Sequence, residues 1–183
     1  RSFSGRERNC CFLNTGKARF ADVSAATGLD YPDDGRALAA ADWDRDGDLD
    51  LWLVNRTGPQ IRYLRNDLAP RRHFVQVLLQ GTACNRDAVG ARVEVYAGGD
   101  RKLVRTVYAG NGFISQTTPW LHFGLGDDAR IQRVVVRWPG GKAEEFGPLP
   151  ADRRWRLVQG TGKAEPWELP APTARLAPTE NAA

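Results

Sequence analysis

Methionine is absent from this 183-residue sequence, histidine occurs only twice and cysteine only three times. No C-x-x-C pair or Cys/His spacing occurs, which removes the usual framework for zinc. No apolar run approaches the roughly 18 residues that a helical membrane span requires, so no membrane span is expected. The basic residues are scattered, without a Lys/Arg run or a nucleic-acid motif, and no nucleic-acid partner is expected. Neither a G-x-S-x-G elbow nor a phosphate-cradling glycine loop is present. The chain starts at Arg1 and lacks Met, the pattern of a processed or trimmed product. The lack of a visible targeting segment therefore excludes nothing.

Glycine and proline are plentiful, at 19 and 11 residues, and the apolar runs between them are short. That pattern predicts many strands and turns, an all-β chain of one large or two small domains. Cys10, Cys11 and Cys84 make an odd set. One disulfide between the N-terminal part and Cys84 would suit an oxidising compartment and leave one thiol over. The alternative is that they are small buried hydrophobes.

Charge is where the sequence becomes specific. The net charge is +4, yet residues 42–50 hold five Asp and one Arg. Asp42, Asp44, Asp46, Asp48 and Asp50 fall on alternate positions around Gly47, and carboxylates so crowded repel one another. A hard divalent cation reverses that repulsion, because calcium takes about six to eight oxygens. The carboxylates of Asp42, Asp44 and Asp46, the backbone carbonyl of Asp48 and the carboxylate of Asp50 would form the cage, with Gly47 at the bend. A helix-loop-helix calcium site needs Glu at the twelfth position, and here that residue is Leu53. The flanks, at 37–41 and 51–54, are short and apolar, so a strand–loop–strand hairpin is predicted. The bland alternative is a solvated acidic turn.

This loop, with Phe12-Leu13-Asn14, Phe20-Ala21-Asp22-Val23-Ser24 and Thr27-Gly28-Leu29-Asp30 before it, resembles the FG-GAP/VCBS repeats of integrin-type β-propellers. The resemblance covers roughly residues 9–66 and implies a blade-like sheet with Ca2+ in its hairpin. Strands are expected at 10–14 and 20–23, with the turn at 15–17. Ile61-Arg62-Tyr63-Leu64 would complete a four-stranded blade. Asn55-Arg56-Thr57 is also a glycosylation sequon.

After a short connector at 68–72, strands are predicted at 73–80, 90–96, 102–108, 120–125, 131–138, 143–146 and 155–158. Along 90–96, Ala91, Val93 and Val95 share one face and Arg92, Glu94 and Tyr96 the other. The expected architecture is a β-sandwich or a closed sheet. The segments at 81–93, 110–116, 121–126 and 136–141 resemble the ASPIC/UnbV signature. The resemblance predicts non-cysteine residues at the three Cys positions, which favours their pairing here. Residues 1–67 thus read as a propeller-blade-like calcium hairpin unit, packed with a β-sandwich-like domain at 68–160. Residues 161–183 read as a flexible, Pro-rich, disordered tail.

Beyond the acidic loop, Asn85, Arg86, Asp87, Ser115 and His122 are the candidate ligand-binding residues. They could converge on a sugar or a reacting centre. Alternatively Arg86 and Asp87 pair, while Asn85 and Ser115 bond turn backbone. Trp120, Trp138 and Trp155 suit either a sugar platform or a sandwich core. The leading expectation is a non-catalytic, calcium-binding extracytoplasmic module, secreted or periplasmic, for adhesion or protein/glycan binding. A calcium-dependent enzyme or accessory protein of natural-product biosynthesis is the alternative, motivated by the UnbV resemblance. A third reading is an assembly module docking onto other blades, in a homo-oligomer or a larger partner.

Overall fold

The computed structural model describes residues 7–67, 70–112, 115–168 and 170. These fold as an all-β protein with no helix among the described residues. Two compact units can be separated. The first comprises the described residues up to Ala41 with Asp50–Asn66 and Gly110–Thr117. The second comprises Asp42–Leu49, Asp67–Ala109 and the described residues from Thr118 onward.

In the first unit, β1 (Phe12–Gly16) and β2 (Arg19–Asp22) form a separate two-stranded hairpin. β3 (Gly35–Ala41), β4 (Asp50–Asn55) and β5 (Ile61–Leu64) form a three-stranded antiparallel meander. The expected four-stranded blade is therefore three strands plus a hairpin outside the sheet. β1 also begins later than expected, and Lys17 and Ala18 turn the chain with positive φ. A polar network secures this unit. Asp33 pairs with Arg62 and accepts a 3.1 Å bond from Asn55 Nδ2. Asp34 pairs with Arg36 and Arg56 at 2.6 and 2.7 Å. Asn55 is buried, and its Nδ2 also donates to the Pro59 carbonyl at 2.8 Å. The sequon nitrogen is thus committed to the fold.

In the second unit, β12 (Ala143–Phe146), β11 (Arg133–Arg137), β7 (Arg92–Tyr96) and β8 (Lys102–Thr106) form an antiparallel sheet in that order. The other sheet runs β15 (Ala164–Pro166), β14 (Arg153–Val158), β6 (His73–Gln80) and β9 (Leu121–Gly126). β6 and β14 are parallel, the other pairs antiparallel. A short pair, β10 (Arg130–Ile131) with β13 (Leu149–Pro150), stands apart.

Strand alternation explains the core. Val93, Val95, Val134, Val136 and Phe146 of one sheet meet Val75, Val77, Phe123, Leu125 and Leu157 of the other in one buried cluster. Face-to-face sheets with open edges make a sandwich, not a closed sheet. Arg92, Glu94 and Tyr96 point outward as expected, and Glu94 is covered by Arg92, Arg137 and Tyr96. Burial pushes the Glu94 carboxyl upward, but hydrogen bonds from Tyr96, Arg137 and Arg92 together with the charge of Lys102 outweigh this and leave it below its ordinary value.

Trp138 and Trp155 lie in the core, whereas Trp120 packs against Trp167 with ring centroids 6.2 Å apart. Within the tail expected from residue 161, Ala164–Pro166 forms a strand paired with β14. The connector residues 68–69, Phe113, Ile114 and the tail beyond Pro170 lie outside the described residues. All three cysteines are free thiols, and Cys84 packs against the sandwich core.

Candidate metal centre

The acidic loop joins β3 to β4 and is wrapped by its own carboxylates. Asp44 Oδ1 accepts from the Asp46 amide at 3.3 Å, and Asp46 Oδ1 accepts from the Asp48 amide at 3.0 Å. Each carboxylate thus turns back on the amide two residues ahead, the local turn that Asp favours. Gly47 has φ +101°, and a Cβ there would collide with the Phe74 ring. Glycine is needed for both the bend and the close approach.

Oxygens of Asp42, Asp44 and Asp46 come within 4.8 Å of one another. Two of the three are held by arginines of the same unit. Asp42 Oδ2 accepts from Arg154 Nη2 at 2.5 Å and from Gln76 Nε2 at 2.9 Å. Asp46 Oδ2 accepts from Arg71 at 2.7 Å. The Asp42 side chain is only 2 % exposed, and its Oδ1 is buried without a hydrogen-bond partner. Burial, with Asp46 nearby, pushes the Asp42 carboxyl above its ordinary value, against the pull of Arg154, the Gly47 amide and Gln76. A buried, unpaired carboxylate oxygen beside two more carboxylates suits a hard divalent cation, which takes oxygen ligands. The residues present fit calcium on that ground.

The spacing also offered the backbone carbonyl of Asp48 and the carboxylate of Asp50 as ligands, and the cluster of side-chain oxygens comprises Asp42, Asp44 and Asp46. Asp48 and Asp50 stand outside the trio. Asp50 is fully buried in the first unit, where its Oδ2 accepts from the Tyr63 hydroxyl at 3.0 Å and its Oδ1 from the Asn66 amide at 2.8 Å. Alternation alone does not show which carboxylates the sheet edge claims.

The other candidate residues are distributed differently. Asn85 closes its own loop, accepting from the Val89 amide at 2.7 Å and donating to the Val89 carbonyl at 3.0 Å. Arg86 and Asp87 lie on the same loop, where the Gly81 amide donates to the Arg86 carbonyl. Ser115 Oγ donates to the Asn111 carbonyl at 3.0 Å. His122 lies on the outer face of β9, its ring stacked on Phe74 at 5.7 Å and its Nδ1 3.4 Å from Gln76 Nε2. Burial, with Arg105 and Arg154 nearby, lowers the His122 pKa to about 4. The imidazole is therefore neutral at pH 7 and can accept from Gln76. Gln76, Arg154 and Arg71 escaped the sequence reading, since nothing in their local sequence marks a contact so distant along the chain.

Fold and site define an all-β protein of two units, in which the second unit holds both an open sandwich and the acidic loop at Asp42–Leu49. Residues 2–53 match the FG-GAP-like repeat model, and residues 81–164 match the ASPIC and UnbV model. The chain carries an FG-GAP-like repeat followed by an ASPIC/UnbV domain. It is similar to cartilage acidic protein 1 of Mus musculus, 41% identical over 110 residues that cover 59% of this chain and 17% of that protein. The Xenopus tropicalis protein of that name is 30% identical over 113 residues, covering 60% of this chain and 17% of that protein. The Homo sapiens protein is 30% identical over 110 residues, covering 59% and 16%. The chain thus spans about a sixth of the length of the curated relatives it matches. Among the described residues, no helix is long and apolar enough to cross a membrane.

Proposed function

We propose that this chain is a calcium-binding, extracytoplasmic β module that serves in adhesion or in binding a protein or glycan ligand, without catalysis. The observation that carries the calcium reading is the buried Asp42 carboxylate, whose Oδ1 has no hydrogen-bond partner and which lies within reach of the carboxylates of Asp44 and Asp46. Asp42, Asp44 and Asp46 would hold the ion, with Asp48 and Asp50 following them in the loop. The ion would neutralise the crowded carboxylates and stiffen the turn. The match to an FG-GAP-like repeat and the name of the relatives, which points to cartilage, support an extracellular setting.

Extracellular calcium modules bind in roughly the 10⁻⁴–10⁻³ M range. Calorimetric titration of chelator-stripped protein is expected to show saturable binding near one calcium per chain, with magnesium markedly weaker. The same protein should melt at a higher temperature with calcium than with chelator. Asp44→Ala should abolish both the heat of binding and the calcium-dependent shift. A variant that still bound and responded like the parent would overturn the reading.

Assembly with further blades is a second reading, favoured by one observation. The first unit exposes Phe12, Leu13, Phe20, Leu38 and Ile61, each more than half accessible. Beside them an open groove of about 670 Å³ is lined in part by Cys11, Phe12, Leu38, Leu51 and Leu53. Exposed apolar surface on this scale marks interaction sites. Light scattering at micromolar concentration would show a dimer or larger species if a second copy covers it, and a monomer if not.

A further inference from the structure

The outer face of the β15-β14-β6-β9 sheet carries a polar row. Gln76 on β6 lies opposite Arg154 on β14 and His122 on β9. Arg154 Nε donates to Gln76 Oε1 at 2.8 Å, while Gln76 Nε2 and Arg154 Nη2 both donate to Asp42 Oδ2. The three side chains close a ring of hydrogen bonds. Its polarity is fixed: the amide oxygen faces the guanidinium and the amide nitrogen faces the carboxylate, with neutral His122 also beside that nitrogen.

The form of this ring is informative. An isolated arginine–carboxylate pair commonly engages both carboxylate oxygens in a parallel fork. Here Arg154 spends one arm on Gln76, and both donors converge on a single oxygen of Asp42. The second oxygen makes no hydrogen bond of ordinary geometry in a side chain that is almost wholly buried, with only the Gly47 amide near the carboxylate as a further donor. Burying a carboxylate oxygen without a partner is costly, so an ordinary structural ion pair does not explain the arrangement.

We propose that Arg154 and Gln76 are positioning residues for the cation: they grip Asp42 by Oδ2, reserve Oδ1 for the ion, and tie occupancy of the loop to strands β6 and β14. This rests on the calcium reading above. The guanidinium repels a divalent ion, but the geometry it enforces, with Gln76, outweighs that repulsion. Groups that orient a metal ligand from behind typically contribute about 10–100-fold to affinity.

Gln76→Leu and Arg154→Met test this in the full chain, by calcium calorimetry and by terbium luminescence. Trp43, exposed and adjacent to Asp42 and Asp44, serves as the antenna. Gln76→Leu leaves every charge in place, so weakened binding there reports lost geometry alone. Both variants are expected to raise the calcium Kd by about tenfold or more. Their terbium lifetime should also be shorter in water relative to deuterium oxide, because water takes the place of Asp42. Unchanged Kd and lifetime, even with a lower melting temperature, would mean that the ring is only structural. Tighter calcium binding in Arg154→Met would show that repulsion dominates, and would equally overturn the proposal. If Arg154→Met does not fold, Gln76→Leu decides. If the parent itself binds neither calcium nor terbium, the calcium reading falls and this proposal with it.

Discussion

The two units of this chain bury different things. The second has a dry core in which Val75, Val77, Val93, Val95, Leu125, Ile131, Val134, Val136 and Leu157 have no accessible surface. The first has a single buried apolar residue among the described ones, Leu53, and instead buries Asp33, Asp34, Asp50 and Asn55. Phe12, Leu13, Phe20, Leu38, Val54 and Ile61 lie at its surface. A sandwich with two facing sheets can pair apolar faces with each other. The first unit's three-stranded meander buries only Leu53 among its described apolar residues, and the ion pairs and hydrogen bonds of Asp33, Asp34 and Asn55 help to order it. The lesson is that sheet formation and core formation are separate achievements, and only the second unit has both.

The sharpest way to break this comparison is a matched pair of truncations. Phe146→Ala empties a fully enclosed position and is expected to destabilise the protein by about 3–5 kcal/mol. Phe12→Ala removes the same ring from an exposed strand and should stay within about 0.5 kcal/mol. Urea denaturation of both variants measures the contrast, and similar costs would mean that the first unit has a core after all.

Next in size is Asp33→Asn, which strips Arg62 of its charged partner while keeping the volume. Removing one partner of a buried pair leaves the other uncompensated. Arg62 is partly exposed at 27 %, so a loss of about 2 kcal/mol is expected, below the full cost of a wholly buried pair. A change near zero would show that the polar network adds nothing to the first unit.

The smallest effect concerns acid. The pKa of His122 falls from 6.5 to about 4 on folding. Between those values the unfolded chain binds a proton that the folded chain refuses, so this contribution is present above pH 6.5 and lost as the pH drops toward 4. Its size is on the order of 1–2 kcal/mol once the partly accessible ring is discounted. Thermal melts across that window should show a shallower slope for His122→Gln than for the parent. Equal slopes would remove His122 from the account.

Much of the fold was legible because its signals are local. Alternation along 90–96 placed Val93 and Val95 inside with no knowledge of their partners. The β3–β4 hairpin was visible because Leu53, where a helical calcium loop needs Glu, ruled out that geometry. The separation of β1 and β2 from the meander was not legible, since strand propensity does not say which edges pair. Nor was the fate of the tryptophans. Trp138 and Trp155 went to the core, while Trp120 met Trp167, a residue assigned from sequence to a tail.

What the sequence determined by itself was the shape of the acidic loop. Asp44 and Asp46 turn back on amides two residues ahead, an interaction that needs nothing from the rest of the chain. Only the tertiary structure decided what those carboxylates can do. Asp42 is buried and gripped by Arg154, 112 residues further along the chain. Asp50 is taken by Tyr63 and Asn66. Desolvation and the direction of a lone pair depend on which atoms fold against a group, and those atoms come from strands that spacing along the chain cannot connect.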